Sequence, residues 1–210
     1  VGLGTSYEQL DDLFFSPSIS ISNESLDTDS SASAAYKKQD GSYFDTYFKY
    51  GLLYDKRNYK YQATDGFVSN WIQHIPILSN SASILNGYTL TGYSEPVDDM
   101  IVTAGFFARS INSITDDDVR VSKRLYAPSA RLRGFQKGSI GPVDGSDYVG
   151  GNYYALMNFT STLPQILPNA QNIEVVSFLD VANLWGVDNK NLKDGNKIRS
   201  SIGLGIDWFT

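Results

Sequence analysis

Few residues of this chain have side chains that could carry out catalysis. The sequence contains no cysteine, which excludes disulfides, thiolate metal sites and cysteine nucleophiles. His74 is the single histidine, which excludes metal sites built from several histidines and most acid–base pairs based on imidazole. No Ser-His-Asp arrangement, phosphate-binding loop or convincing pair of catalytic carboxylates is present. The residue types therefore argue against an enzyme and predict no cofactor and no metal site.

The charged residues point the same way. The acidic run 116–118 could hold a cation, but adjacent loop carboxylates are more often simply solvated. The net charge of −6 argues against nucleic acid as a partner, because phosphate binding requires clustered lysine and arginine. With 41% hydrophobic and 19% charged residues, the composition is that of a folded protein. Its function must therefore depend on how the fold arranges its residues.

The elements that must position these residues are β-strands, because hydrophobic residues alternate with period two along most of the chain. In residues 198–208 the large apolar side chains all share one face. In residues 43–55 the polar face carries Asp45, Lys49 and Asp55. We predict an all-β protein with strands at about 1–7, 13–25, 41–56, 66–77, 82–95, 99–110, 151–163, 172–185 and 197–209.

The links between these strands largely alternate between short and long. The long ones are 26–40, 111–149 and 186–196, whereas the link at 78–81 is short where a long one is expected. No apolar run approaches the about 20 residues that a membrane-spanning helix needs. Short turns at one end and long loops at the other are typical of an outer-membrane β-barrel. Such a sheet must close, because lipid leaves no backbone group unpaired.

The two faces of the strands help to distinguish a membrane barrel from a soluble sheet. One face carries Tyr, Phe and Trp near the strand ends, and the other carries Arg, Asp, Asn, Ser and Gly. An apolar outside and a polar inside fit a lipid-facing wall around a wet lumen. The alternative from periodicity alone is a soluble antiparallel sheet or sandwich with one solvated face, which would bind a surface ligand.

The long link 111–149 contains the most distinctive sequence of the chain. Loops of this length without regular structure are usually functional or disordered. Within it lies Arg131-Leu-Arg-Gly-Phe-Gln-Lys-Gly-Ser-Ile-Gly-Pro142, and Gly150-Gly151 follow just before the next strand. This run resembles the BamA family of outer-membrane barrel-assembly proteins, in which a long extracellular loop folds into the lumen with an Arg-Gly-Phe/Tyr tip.

Further blocks agree with this resemblance in order and spacing. Residues 54–57 and 63–66 are similar to the family's turn before a late strand, 178–182 to its Phe-x-Asp-x-Gly strand, and 198–203 to the strand before its last hairpin. Departures from the family pattern are Pro128-Ser129 before the loop tip, Ala182 for glycine and Thr160 for glutamate. They concern the conformation of the tip.

The resemblance assigns roles to individual residues. It implies that Arg133 forms an ion pair with Asp180 on the inner wall, with Gly134 allowing the tip to turn and Phe135 packing beside the pair. Bidentate binding of a carboxylate suits arginine. Supporting positions are expected at Gly141, Pro142, Gly150, Gly151 and Arg199. Without the resemblance, Arg133 would be read as a solvated loop charge and Asp180 as an ordinary lumenal one.

The resemblance also implies a function. BamA-like proteins are not enzymes; they insert and fold other β-barrels into the bacterial outer membrane without nucleotide energy. The implied partners are unfolded outer-membrane clients, outer-membrane lipid and, through soluble POTRA domains ahead of the barrel, lipoprotein subunits. A related POTRA-barrel transporter for a secreted partner or an autotransporter would share the loop tip and the strand aspartate, so it remains an alternative.

The length fits only part of such a barrel. The chain has 210 residues and starts at Val1 without a signal peptide, and the alternating pattern runs to its end. A complete 16-stranded barrel would need well over about 300 residues. We therefore expect residues 1–210 to be a partial C-terminal outer-membrane β-barrel domain, an antiparallel transmembrane segment of about nine strands, with 111–149 as the extracellular loop folding into the lumen.

Overall fold

A computed structural model describes residues 1–164, 173–188 and 192–208 of the chain. Ten strands form one antiparallel sheet, which confirms the predicted all-β fold. They are β1 (Gly2–Gly4), β2 (Tyr7–Leu10), β3 (Leu13–Leu26), β4 (Gly41–Asp55), β5 (Gly66–Ser79), β6 (Ser83–Val97), β7 (Met100–Ser113), β10 (Tyr153–Thr162), β11 (Ile173–Trp185) and β12 (Arg199–Trp208). The remaining elements are helix α1 (Ala34–Lys37), a 3-10 turn (Val121–Lys123) and the small hairpin β8 (Val143–Asp144) and β9 (Asp147–Tyr148).

The strands follow one another across the sheet in chain order, so that each pairs with its sequence neighbours. The exception is at the start of the chain, where β1 and β2 both pair with β3, and the predicted strand 1–7 contains β1 and only the first residue of β2. Pro17 of β3 accepts a hydrogen bond from the amide of Thr5 at this break. Because proline has no N–H to donate in return, the ladder is weakened where the strand divides. The prediction of one strand at 1–7 was therefore wrong in detail, because a second strand begins at Tyr7 and runs to Leu10.

A second proline also shapes the sheet. Pro76 of β5 pairs with Tyr47, and the next register position joins Leu78 to Thr46, so Ile77 forms a bulge. A bulge places one extra residue on one strand and bends it. The bulge lies at the end of the predicted strand 66–77 and leaves two consecutive residues, Ile77 and Leu78, both exposed. Near the long loop, β7 ends three residues later than predicted, at Ser113.

The sheet has two chemically different faces. The outer face presents large apolar side chains to the surroundings; examples are Phe67, Trp71, Leu90, Met157, Phe159, Ile202, Leu204 and Ile206. The inner face carries Asp45, Tyr47 and Asp180, which are buried beneath the chain's own loops. The core thus lies between the inner face and the segment that joins β7 to β10, as expected for a barrel wall with a filled lumen.

The connecting segments gather at two ends of the sheet. At one end the long links contact one another: Tyr36 donates to the carbonyl of Tyr148, and Lys193 and Val143 exchange two backbone hydrogen bonds. At the other end, two-residue turns join β2 to β3 and β6 to β7, and Lys56 lies 2.6 Å from Asp12. Within the described ranges, no helix is both long enough and apolar enough to cross a membrane.

Candidate functional site: the tethered loop

The segment between β7 and β10, residues 114–152, lies across the inner face of the sheet; we call it the inner loop. It carries the 3-10 turn 121–123 and the hairpin β8–β9. Apolar residues pack it against the wall. This cluster consists of Phe107, Ile111, Val119, Leu125, Ala127, Leu132, Ile140, Tyr154, Leu156, Ala182 and Leu184, with Leu85 and Phe135 packed at its margin.

The carboxylate of Asp180 on β11 is the centre of the predicted site. Arg133 of the inner loop donates to it three times: Nε to Oδ2 at 2.9 Å, Nη2 to Oδ1 at 2.6 Å, and the backbone N–H to Oδ2 at 2.9 Å. Asn158 of β10 donates a fourth hydrogen bond to Oδ1 at 2.5 Å. The predicted ion pair is therefore present in the structure as a bidentate contact, the geometry that favours arginine over lysine.

The surroundings of the pair are asymmetric. The side chain of Asp180 is fully buried, whereas that of Arg133 remains 31% exposed. The guanidinium carbon of Arg133 lies 3.7 Å from the centroid of the Phe178 ring, two residues before Asp180 on the same face. Stacking on an aromatic ring fixes the orientation of a guanidinium and also attracts its positive charge. Thr160, where the family pattern has glutamate, contributes a longer contact of 3.4 Å to Nη2.

The loop tip turns immediately after this arginine. Gly134 has φ +81°, in the left-handed region that side chains disfavour, so the predicted role of glycine in the turn fits its conformation. Phe135 is packed at the margin of the apolar cluster. The ring in contact with the guanidinium is therefore that of Phe178 on the wall. The structure thus assigns the stacking to a residue that the sequence reasoning named only as part of a motif.

A second arginine of the tip is held in a similar way. The guanidinium carbon of Arg131 lies 3.6 Å from the centroid of the Phe107 ring on β7. Its backbone carbonyl accepts a hydrogen bond of 2.7 Å from Asn158, the same amide that binds Asp180. Asn158 thus joins the loop backbone to the wall carboxylate. Asn158 was not among the residues that the sequence predicted for the site.

The supporting residues lie at points where the inner loop closely approaches the wall. Gly141 has φ +103°, and a Cβ at this position would lie 2.6 Å from a methyl carbon of Leu184. Pro142 beside it is fully buried. Gly150 and Gly151 follow the hairpin, and Gly151 exchanges two backbone hydrogen bonds with Leu125. A Cβ on Gly151 would lie 2.7 Å from the carbonyl oxygen of Trp185, so Gly141 and Gly151 are the positions where the loop closely approaches β11, whereas the neighbours of Gly150 belong to the loop itself.

Arg199 is the one supporting residue that stands apart. It begins β12 opposite Ala182, while the residue opposite Asp180 is Ser201. Among the described residues, the hydrogen-bond partners of Asp180 are Arg133 and Asn158 only. Arg199 therefore makes no direct contribution to the carboxylate. Within the described ranges, no cluster of three or more His, Cys, Asp or Glu residues is arranged to hold a metal ion.

The loop also carries groups whose ionisation responds to burial. Tyr126 lies half-buried near Tyr36, with 3.2 Å between the hydroxyl oxygens. Burial, with this hydrogen bond, raises the pKa of Tyr126 well above its usual value. The phenol therefore stays neutral at any physiological pH. The hydrogen bond between Tyr126 and Tyr36 joins the inner loop to the link that contains α1.

An antiparallel meander with an apolar outer face and a charged loop bound to its inner face defines a class: the wall of a transmembrane β-barrel with a lumenal loop. Comparison with known proteins agrees. The family model described as the Omp85 superfamily domain matches residues 2–210, and the chain belongs to this superfamily. The chain is accordingly a protein of the Gram-negative outer membrane, as predicted.

Two relatives extend this comparison. The outer membrane protein assembly factor BamA of Neorickettsia risticii (strain Illinois) is 25% identical over 210 residues, covering 97% of this chain and 28% of that protein. The crystal structure of BamA from Haemophilus ducreyi lacking POTRA domains 1–3 superposes with a TM-score of 0.85 at 18% identity. That match covers 99% of this chain and 47% of the solved chain. The predicted relationship to BamA and the partial barrel are confirmed, and this chain spans less than half of either relative.

Proposed function

We propose that the complete protein is an outer-membrane protein assembly factor that inserts and folds β-barrel proteins into the bacterial outer membrane. The similarity to BamA supports this proposal along nearly the whole chain. The observation that carries it is the bidentate contact between Arg133 and the buried carboxylate of Asp180. A wall that only separated lipid from water would not need a loop fixed to it by three hydrogen bonds from one arginine.

In this proposal residues 1–210 are part of a C-terminal barrel domain, and the loop around 111–149 enters the lumen from the extracellular end. The bound loop covers the inner face of β7, β10 and β11, where the apolar cluster and the ion pair lie. It holds these strands in fixed relation. Client strands would then pair with strand edges elsewhere in the barrel, by the hydrogen bonding that adds a strand to a sheet.

The proposed activity is not catalytic. The energy for insertion would come from the client's own strand pairing and from burial of its apolar face in lipid. Proposed partners are unfolded barrel clients, outer-membrane lipid and lipoprotein subunits that bind POTRA domains. Nucleic acid is not among them, because the chain carries a net charge of −6.

The test is complementation of a strain in which the complete protein can be depleted. We expect depletion to lower the amounts of many folded outer-membrane barrels, measured by heat-modifiable migration in gels. Wild-type protein should restore them, and Arg133→Ala should not. The matched control is Lys137→Ala, an exposed cation four residues further along the same loop for which the described residues offer no ion pair.

Two results would contradict the proposal. If depletion removed a single secreted protein and left the folded barrels at their normal level, the protein would be a transporter of one partner. If the folded barrels were unaffected and no secreted protein were lost, the assembly function would be wrong altogether.

A further inference from the structure

The inner loop makes a second charged contact with the wall, far from Asp180. Arg120, just before the 3-10 turn, contacts the carboxylate of Asp45 on β4 through Nη2. Lys123, at the end of the turn, lies 3.0 Å from Oδ2 of the same carboxylate. Ser79 of β5 donates to its other oxygen at 2.7 Å. One wall carboxylate thus holds two loop cations.

The pair of Asp45 and Arg120 at the centre of this cluster is more deeply buried than the pair of Arg133 and Asp180. The side chains of Asp45 and Arg120 are each only 1% exposed. The Arg120 guanidinium carbon lies 4.3 Å from the centroid of the Tyr43 ring, and Lys123 Nζ lies 5.3 Å from that of Tyr47. Charges so far removed from water persist only when they are paired. The geometry is therefore that of a specific attachment rather than a chance surface contact.

The cluster is balanced in charge. Glu24 of β3 adds a second carboxylate, 3.2 Å from Nη2 of Arg120, so two acidic groups face two basic ones. The neighbouring link fixes the backbone: Gln39 donates to the carbonyl of Val119 at 3.4 Å and accepts from the amide of Val121 at 2.5 Å. Removing the charge of Asp45 would leave the buried Arg120 and the partly exposed Lys123 with one partly exposed carboxylate.

The two attachments are on well-separated parts of the sheet. Asp45 lies on β4 and Asp180 on β11, and five strand-to-strand steps separate them. At about 4.8 Å per step this corresponds to about 24 Å along the sheet. Between the attachments the inner loop runs only from Arg120 to Arg133. Each attachment therefore fixes a different part of the loop.

We propose that Asp45 is a second wall anchor, which positions the base of the inner loop independently of the Arg133–Asp180 pair. The apolar cluster also holds this part of the loop, but apolar packing fixes no direction, whereas the hydrogen bond to Asp45 does. Asp45, Arg120 and Lys123 are positioning residues in this scheme. The proposal goes beyond the proposed function and does not depend on it, because it concerns where the loop is held.

The test is amide hydrogen exchange of the complete protein in outer-membrane vesicles, followed by mass spectrometry of two loop segments. Segment 119–127 reports the second anchor, and segment 131–136 reports the first. In Asp45→Asn we expect exchange to rise at least about tenfold in 119–127 and less than about threefold in 131–136. Asp180→Asn should give the opposite pattern, and the double variant should raise exchange in both.

The matched control is Asp118→Asn, which removes a carboxylate from the same stretch of loop. Asp118 pairs at 3.5 Å with Lys38, whose side chain is 70% exposed, so little should change. Rescue by a conservative variant adds a second check. Arg120→Gln should raise exchange in 119–127 most, whereas Arg120→Lys keeps the charge but loses the stacking on Tyr43, so its exchange should lie between those of the wild type and Arg120→Gln.

The proposal is wrong if Asp45→Asn leaves segment 119–127 at the wild-type rate. It is equally wrong if Asp45→Asn accelerates both segments to the same extent, because the loop would then be a single unit with one attachment. Heat-modifiable migration checks that each variant is folded. If Asp45→Asn does not fold, Arg120→Gln and Arg120→Lys decide the question by the same two segments.

Discussion

Replacing Asp180 by asparagine keeps the size of the side chain and removes its charge, so it isolates the electrostatic part of the first anchor. The carboxylate accepts four hydrogen bonds, two at each oxygen: three come from Arg133 and one from Asn158. An asparagine has one oxygen and one NH₂ group. If the NH₂ replaces Oδ1, it faces Arg133 Nη2 and Asn158. If it replaces Oδ2, it faces the backbone and Nε donors of Arg133.

Either orientation loses two hydrogen bonds and places donor against donor. Hydrogen bonds to charged groups contribute about 1.5–3 kcal/mol each. Breaking a buried ion pair costs about 3–5 kcal/mol, because the remaining charge is left unpaired. The Arg133 side chain is 31% exposed and can bind water instead, which favours the lower end. We therefore expect the bound tip to lose about 3 kcal/mol, equivalent to about a 150-fold larger detached population.

The assay is amide exchange of residues 131–136, which includes the Arg133 N–H that donates to Asp180. Where exchange requires detachment of the tip, its rate should rise by about two orders of magnitude. Glu174→Gln is the matched control, since it neutralises a carboxylate on the same face of β11. An exchange rate in Asp180→Asn within threefold of that control would contradict the prediction, because the ion pair would then contribute nothing to loop attachment.

Three further predictions follow from the same structure. Arg133→Ala and Asp180→Ala should each reduce assembly of client barrels. The charge swap, Arg133→Asp combined with Asp180→Arg, should restore assembly only partly, because the other donors at the site would face a cation. Normal client levels in both single variants would contradict this prediction. Gly141→Ala should lower stability by about 2–3 kcal/mol, from a strained φ and a methyl contact, as measured by denaturant unfolding in detergent. Leu90→Lys on the outer face should lower the free energy of unfolding by about 2–4 kcal/mol in the same assay, whereas Thr91→Lys, at the neighbouring inner-facing position, should lower it much less. Equal losses of stability would mean that the two faces are assigned wrongly.

The strands and their faces could be predicted because both follow from local alternation. Along β4 the pattern placed Asp45 on the inner face, where the structure has it. The departures came from features that periodicity does not record. Pro17 divides the first strand by lacking one donor, and Pro76 is followed by a bulge that shifts the register.

Only part of the loop's attachment to the wall could be predicted from the sequence, because local patterns do not show which distant residues meet. The contact between Arg133 and Asp180 was expected because a family motif names both residues. The contact between Arg120 and Asp45 was missed, because the partners are 75 positions apart and neither belongs to such a motif. Alternation shows which face a strand residue occupies but does not identify the loop residue that comes to it. Asn158 was missed likewise, since an amide on a polar face gives no sign that it joins two partners.

Apolar packing and charge pairing make different contributions to the attachment of the inner loop. Leu132, next to Arg133, is almost completely buried, and burying such a side chain contributes about 1.5–3 kcal/mol without fixing a direction. The cluster around it would hold the loop against the wall in many neighbouring positions. Hydrogen bonds to Asp180 and Asp45 are directional, so they select one of these positions. Loss of a carboxylate should therefore loosen the register of the loop before it frees the loop from the lumen, and the two anchors together set the loop's position on the wall.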